Sequence, residues 1–151
     1  MKTPSNGWSV TETGFNPEKI NHCETIFTLG NGYLGTRGAF EETFPGEVRS
    51  TFLHGVFDDV PVVFTELANT PDWLELEIFL AGERFRLDQG EMLAFTRSLD
   101  LQTATLRREV RWRSPRGRTT RLTFERFASL EDVHLAGVLV SITLEDYEGT
   151  V

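Results

Sequence analysis

The feature that most constrains this 151-residue chain is a turn, Ser114-Pro115-Arg116-Gly117, set between two stretches that alternate apolar and polar residues. Pro at the second position presets a turn-compatible φ, and Gly at the fourth tolerates a left-handed backbone, so the tetrad predicts a type I turn closed by a Gly bulge. The resulting three-residue loop fixes the hairpin register. Trp112 faces Thr120, Val110 faces Leu122 and Arg108 faces Phe124 on the inner side, while outside Arg107 meets Glu125 and Glu109 meets Thr123. A two-residue loop would move these side chains to the wrong faces.

From Trp73 onward the same strand-turn-strand rhythm continues. Leu74, Leu76, Ile78 and Leu80 share one face, and a two-residue loop at Ala81-Gly82 sets Ile78 opposite Phe85 and Leu76 opposite Leu87. Residues Leu93 to Leu101 predict a strand with Phe95 and Leu99 inward. Arg97 interrupts that face and needs a partner or an edge position. Residues Val133 to Leu144 are apolar at nearly every position, with Ala136, Val138, Val140 and Ile142 on one side and Leu135 and Leu139 on the other, which predicts a strand covered on both faces. The 18 Thr and 12 Phe, against 2 Lys and 2 Met, suit pleated, half-buried surfaces. The expected fold is all-β, an antiparallel β-sandwich. The chain turns at Glu145 to Gly149 and stops at Val151, where a partner strand is expected to start, so it reads as one unit, 1–151, an incomplete N-terminal part of a larger domain.

Charge excludes some partners. The total is −8, yet residues 84–126 hold 11 Arg against 5 acids. Arg107, Arg108, Arg111, Arg113, Arg116, Arg118 and Arg121 surround Trp112, a composition that suits phosphate contacts with an aromatic to stack a base. The acidic remainder would repel a polyanion, and Glu109 and Glu125 interrupt the patch, so the better reading is solvated Arg on an outer hairpin face and no nucleic acid partner. No apolar run approaches the ~20 residues of a membrane helix, and the N-terminus has no signal-peptide core. Cys23 stands alone, so no disulfide forms within the chain. A cytoplasmic protein without a membrane partner is expected.

Local motifs assign no chemistry. Gly30-Asn31-Gly32-Tyr33-Leu34-Gly35 satisfies G-x-G-x-x-G, but no helical repeat follows, and Asn31-Gly32 is a hairpin signal. Glycosidic chemistry needs carboxyl groups at a fixed separation. The pairs Glu41 with Glu42, Asp58 with Asp59, and Glu75 with Glu77 offer carboxylates, but exposed strand faces account for Glu75 and Glu77 without catalysis. His22, Cys23, His54 and His134 lack metal-ligand spacing, and no Ser has a His and Asp constellation. No catalytic, cofactor-binding or metal-binding residue is assigned, and no cofactor is expected.

An ordered set of segments resembles the N-terminal region of glycoside hydrolase family 65, the maltose, trehalose and kojibiose phosphorylases. Residues 24–38, Glu-Thr-Ile-Phe-Thr-Leu-Gly-Asn-Gly-Tyr-Leu-Gly-Thr-Arg-Gly, look like its signature. They are followed by Glu66-Leu67-Ala68-Asn69-Thr70-Pro71-Asp72-Trp73-Leu74, Arg97 to Asp100, residues 107–112 and residues 124–130. The resemblance covers most of residues 8–151. It implies a β-sandwich joined to an (α/α)6 barrel. In that family phosphate attacks the anomeric carbon of an α-glucoside with inversion, helped by one acid that lies in the barrel, and none of those barrel residues maps onto this chain. The signature hairpin, with Asn31, Tyr33 and Arg37, is expected to serve structure. Implied partners are the catalytic barrel and a second subunit, with a dimer expected, and an oligosaccharide is a candidate ligand. Competing readings are a free-standing glycan-binding module using Trp73 or Trp112, which the inward register of Trp112 opposes, and a trehalase-type hydrolase of the same family.

Overall fold

The structure, a computed structural model, describes residues 7–59 and 65–151. Among them, twelve strands, a 3-10 turn and one short α-helix form an antiparallel β architecture. Five strands, β1 (Ser9–Thr13), β9 (Glu91–Asp100), β10 (Thr105–Arg113), β11 (Thr119–Ala128) and β12 (Ala136–Leu144), make the main sheet in the order β1-β9-β10-β11-β12. All its pairings are antiparallel. The short strands β2 (Leu29–Gly30), β3 (Leu34–Thr36) and β4 (Thr51–Leu53) make a second sheet, β5 (Phe57–Asp59) pairs with β6 (Thr65–Leu67), and β7 (Phe79–Leu80) pairs with β8 (Glu83–Arg84).

The β10–β11 hairpin has the register that the turn chemistry requires, including Trp112↔Thr120, Val110↔Leu122, Arg108↔Phe124, Arg107↔Glu125 and Glu109↔Thr123. Gly117 N donates to Ser114 O at 2.8 Å, and Gly117 carries φ +83°, a conformation that a β-branched residue would adopt only under strain. Ala81-Gly82 also turns in two residues, with φ of +48° and +81°, and Phe85 N donates to Ile78 O. The strand pairing there is shorter than the alternation suggests: residues 74–78 alternate in burial but only Phe79–Leu80 pair with β8. Leu76 N donates instead to Glu41 O, so this segment adheres to a loop.

Two further expectations are corrected. The Val133–Leu144 segment is not covered on both faces among the described residues. Its strand, β12, pairs with β11 alone; Val138, Val140, Ile142 and Leu144 are half-buried, while Leu135 and Leu139 are exposed. The arginines of the hairpin are not uniformly solvated either: Arg108 lies on the inner face and is 2% exposed.

The inner face of the main sheet carries the core. Phe95, Val110, Trp112, Leu122 and Phe124 pack with Ile20, Phe40, Ile78, Leu80, Phe85 and Leu87, and a smaller cluster joins Leu99 and Leu106 to Cys23, Phe27 and Leu29. Part of this cover, Ile20 and Cys23, comes from α1 (Ile20–Ile26), which the strand-rich composition conceals. Asn16-Pro17-Glu18 does announce it: Asn16 Oδ1 accepts from Glu18 N, and Pro17 opens a 3-10 turn that leads into α1.

Candidate functional site

Three guanidinium groups lie on the inner face of the three central strands: Arg97 on β9, Arg108 on β10 and Arg126 on β11, each no more than 2% exposed. A bare cation in such a place is prohibitively costly, so each needs a carboxylate or hydrogen-bond partner. Arg97 has both, which answers the question its position raises. Its Nε and Nη2 donate to Glu12 Oε2 at 3.0 and 2.8 Å, and Nη1 donates to Gly38 O at 2.8 Å. Arg108 donates to both oxygens of Glu42 and, at 2.7 Å, to Glu41 Oε2. Arg126 has Glu41 at 3.6 Å.

The rings complete the arrangement. Arg97 lies over Phe27 and Phe40 at 4.5 and 4.9 Å, and Arg108 over Phe40 and Phe124 at 4.5 and 4.2 Å. Phe27, Arg97, Phe40, Arg108 and Phe124 thus form one alternating column of aromatic faces and cations, a stacking that is stronger when desolvated. The column fastens the end of α1 and the 38–42 loop to the sheet. Gly38 lets the loop pass: a Cβ there would meet Phe27 Cβ at 2.7 Å.

This geometry decides what the adjacent carboxylates Glu41 and Glu42 are. Burial pushes the Glu41 carboxyl up, but Arg108 and then Arg126 outweigh it and hold it below the usual glutamate range. Burial likewise pulls the Arg108 guanidinium down, and Glu42 and Glu41 more than reverse that. Two buried carboxyl groups locked by Arg108 are poorly suited to deliver or take a proton. Cys23 is also occupied, its thiol donating to Glu12 Oε1 at 3.2 Å, and burial followed by the Glu12 carboxylate pushes it up, away from reactive thiolate.

The signature hairpin is built around Asn31. Its Oδ1 accepts from Tyr33 N and Leu34 N at 3.0 and 2.8 Å, and its Nδ2 donates to Ser129 O and Val133 O at 2.7 and 3.0 Å. The turn centre is Gly32-Tyr33, one residue beyond Asn31-Gly32, because Asn31 N pairs with Leu34 O and the left-handed residue is Gly32, φ +90°. Arg37 donates to Asn21 O and Glu24 Oε2, and the Tyr33 ring stands edge-on to His134 at 4.5 Å. Beside this hairpin is an apolar cleft of about 310 Å³, floored by Gly30 and Gly35 and walled by Tyr33, Phe52 and His54. Neither tryptophan considered for glycan stacking is presented to solvent as a platform. Trp112 is fully buried and donates to Gln89 O at 2.7 Å, and Trp73 is half-buried. No group of three or more His, Cys, Asp or Glu side chains among the described residues is placed to hold a metal.

Asn31 and the Arg97, Arg108 and Arg126 set escape motif reasoning because their partners lie far along the chain. The one local hint is an Arg at an inward position of an alternating strand. An antiparallel β domain cross-linked by buried ion pairs is the class that fold and site define. The sequence profile of the glycosyl hydrolase family 65 N-terminal domain matches residues 10–151, and the chain belongs to that family as its N-terminal domain. The kojibiose phosphorylase of Halothermothrix orenii is 44% identical over 144 residues, covering 95% of this chain and 18% of the relative. An alpha,alpha-trehalose phosphorylase of Thermoanaerobacter brockii is 31% identical over 163 residues, 98% of this chain and 21% of the relative. A solved human-microbiome protein assigned as a kojibiose phosphorylase superposes with a TM-score of 0.81 at 25% identity, over 89% of this chain and 19% of that one. The chain therefore spans about a fifth of the length of these relatives.

Proposed function

We propose that this chain is the scaffold domain of a disaccharide phosphorylase acting on kojibiose or trehalose, and that the acid and phosphate site of the reaction lie in a catalytic barrel outside residues 1–151. The observation that carries this reading is the profile match over residues 10–151 together with phosphorylase relatives some five times as long. These relatives are named for kojibiose or trehalose, so maltose, also suggested by the sequence, loses weight as the substrate. The locked state of Glu41 and Glu42 supports a structural role. Supplied with kojibiose or trehalose and inorganic phosphate, the polypeptide that joins this domain to its barrel should release glucose 1-phosphate of inverted configuration. The 151-residue chain alone should release none above a blank. Glucose release that consumes no phosphate would make the parent a hydrolase, and turnover by the chain alone would overturn the scaffold reading.

We also infer a dimer and a cytoplasmic setting. Support for the dimer comes from β12, whose outer edge is unpaired among the described residues and which, with exposed Leu135 and Leu139, invites antiparallel addition of a second copy about a two-fold axis. Light scattering of the chain at low micromolar concentration should give twice the mass of 17.1 kDa, and a stable monomer mass would remove the proposal. No helix is long and apolar enough to cross a membrane among the described residues.

A further inference from the structure

Glu42 and Glu75, members of two carboxylate pairs noted in the sequence, meet at one cleft of about 220 Å³ between the 42–45 turn and the strand β8. That is below the roughly 300–1,000 Å³ of sites for drug-sized ligands. Its walls combine the Phe44 ring and Pro45 with the side chains of Thr43, Arg84 and Arg86. We propose that this cleft binds the ring of a neutral saccharide, one hexose unit.

The balance of charge selects the ligand class. Both Glu42 oxygens are taken by Arg108. Arg86 is engaged by Asp88 through Nε and Nη2 at 2.8 and 2.5 Å, and Arg84 Nη1 by Glu77 at 2.9 Å. An anion would thus find no uncommitted cation, and it would face the exposed carboxylate of Glu75. A metal ion would find that carboxylate alone. What remains suits hydroxyl groups: Glu75 to accept hydrogen bonds from them, the remaining guanidinium N–H groups to donate to their oxygens, and Phe44 with Pro45 to cover a C–H face.

The turn itself is strained. Thr43 is β-branched yet holds φ +63°, a strained conformation for such a residue, and its Oγ1 is buried without a hydrogen-bond partner, as is Arg84 Nε. Both residues line the cleft, so both groups are at hand for a ligand hydroxyl. Backbone strain and unsatisfied polar groups lining one cleft are the pattern found where a bound ligand completes the structure.

The inference stands on the cleft and not on the family reading, so the two fail separately: one by binding to this chain, the other by turnover of the parent. Amide chemical shifts of the 151-residue chain, titrated with glucose, should move saturably at residues 42–45, 75 and 84–86 with a dissociation constant of order millimolar, as expected for so small a ligand. Inorganic phosphate should leave them in place. Glu75→Ala, an exposed position, should weaken glucose binding about fivefold or more with an unchanged melting temperature. Thr43→Gly should raise the melting temperature by releasing the strained φ while also weakening binding. No saturable shift at about 100 mM glucose overturns the proposal. So do shifts centred on the Gly30 and Gly35 cleft, equal shifts with phosphate, or unaltered binding by Glu75→Ala.

Discussion

Replacing Arg108 by Met should destabilise the domain by about 3–5 kcal/mol, the range for breaking a buried ion pair by removing one partner. Glu41 and Glu42 would then face the core without the guanidinium that pairs with both, while Arg126 stays 3.6 Å from Glu41. The double change Arg108→Met with Glu42→Leu should recover much of the loss, because it removes the stranded charge too. The pH dependence should change sign at the same site. In the parent chain Glu41 sits below the ordinary glutamate value of 4.5, so its stabilising contribution is complete above that pH and is lost as the pH falls through the folded-state value. In Arg108→Met the buried Glu41 carboxyl loses its main cation and is raised by burial, so acidification from neutral should at first stabilise that variant. Denaturant melts of both proteins between about pH 4 and 7 measure this. Parallel curves of stability against pH would mean that Arg108 does not hold Glu41 ionised.

Truncation of Trp112 to Ala should cost a similar 3–5 kcal/mol, about the range for removing a large aromatic from a closed core. Trp112 is fully buried, stands edge-on to Phe85 at 5.3 Å, and ties the 87–90 loop through Gln89 O. That loop wraps the indole so closely that a Cβ on Gly90 would lie 2.8 Å from Trp112 Nε1. Trp112→Phe keeps most of the packing and gives up the hydrogen bond, so it should cost only about 1–3 kcal/mol. A loss of about 10 °C or more in melting temperature is expected for the Ala variant. A small shift, equal to that of the Phe variant, would mean that the core closes over the space.

These two residues also mark what is legible in a single sequence. A turn places Trp112: Ser114 to Gly117 fixes one register, and the burial of Val110, Trp112, Leu122 and Phe124 follows. The same reasoning marks Arg97 as needing a partner without naming Glu12, which lies 85 residues away. It turns Arg108 inward, yet the charge pattern alone suggests a solvated arginine patch, and nothing local links Arg108 to Glu41 and Glu42. Periodicity describes faces, whereas the partner of a buried charge is a tertiary choice. The family signature is legible as a pattern, but its Asn31 has a use that only distant carbonyls reveal. The apolar richness of residues 133–144 suggests burial on both faces, although β12 lies at an edge among the described residues.

Asn31 reaches 98 residues forward to Ser129 and 102 forward to Val133. A ribosome adds about 5–20 residues per second, so the hairpin around Asn31 waits on the order of 5–20 s for its two acceptors to be synthesised. Strand β1 likewise waits for β9. Until β9 and β10 follow, Phe27, Leu29 and Phe40 lack Phe95, Leu99, Leu106 and Val110, sheet residues of their clusters. Nascent chains paused before residue 91 should be the ones a chaperone holds longest.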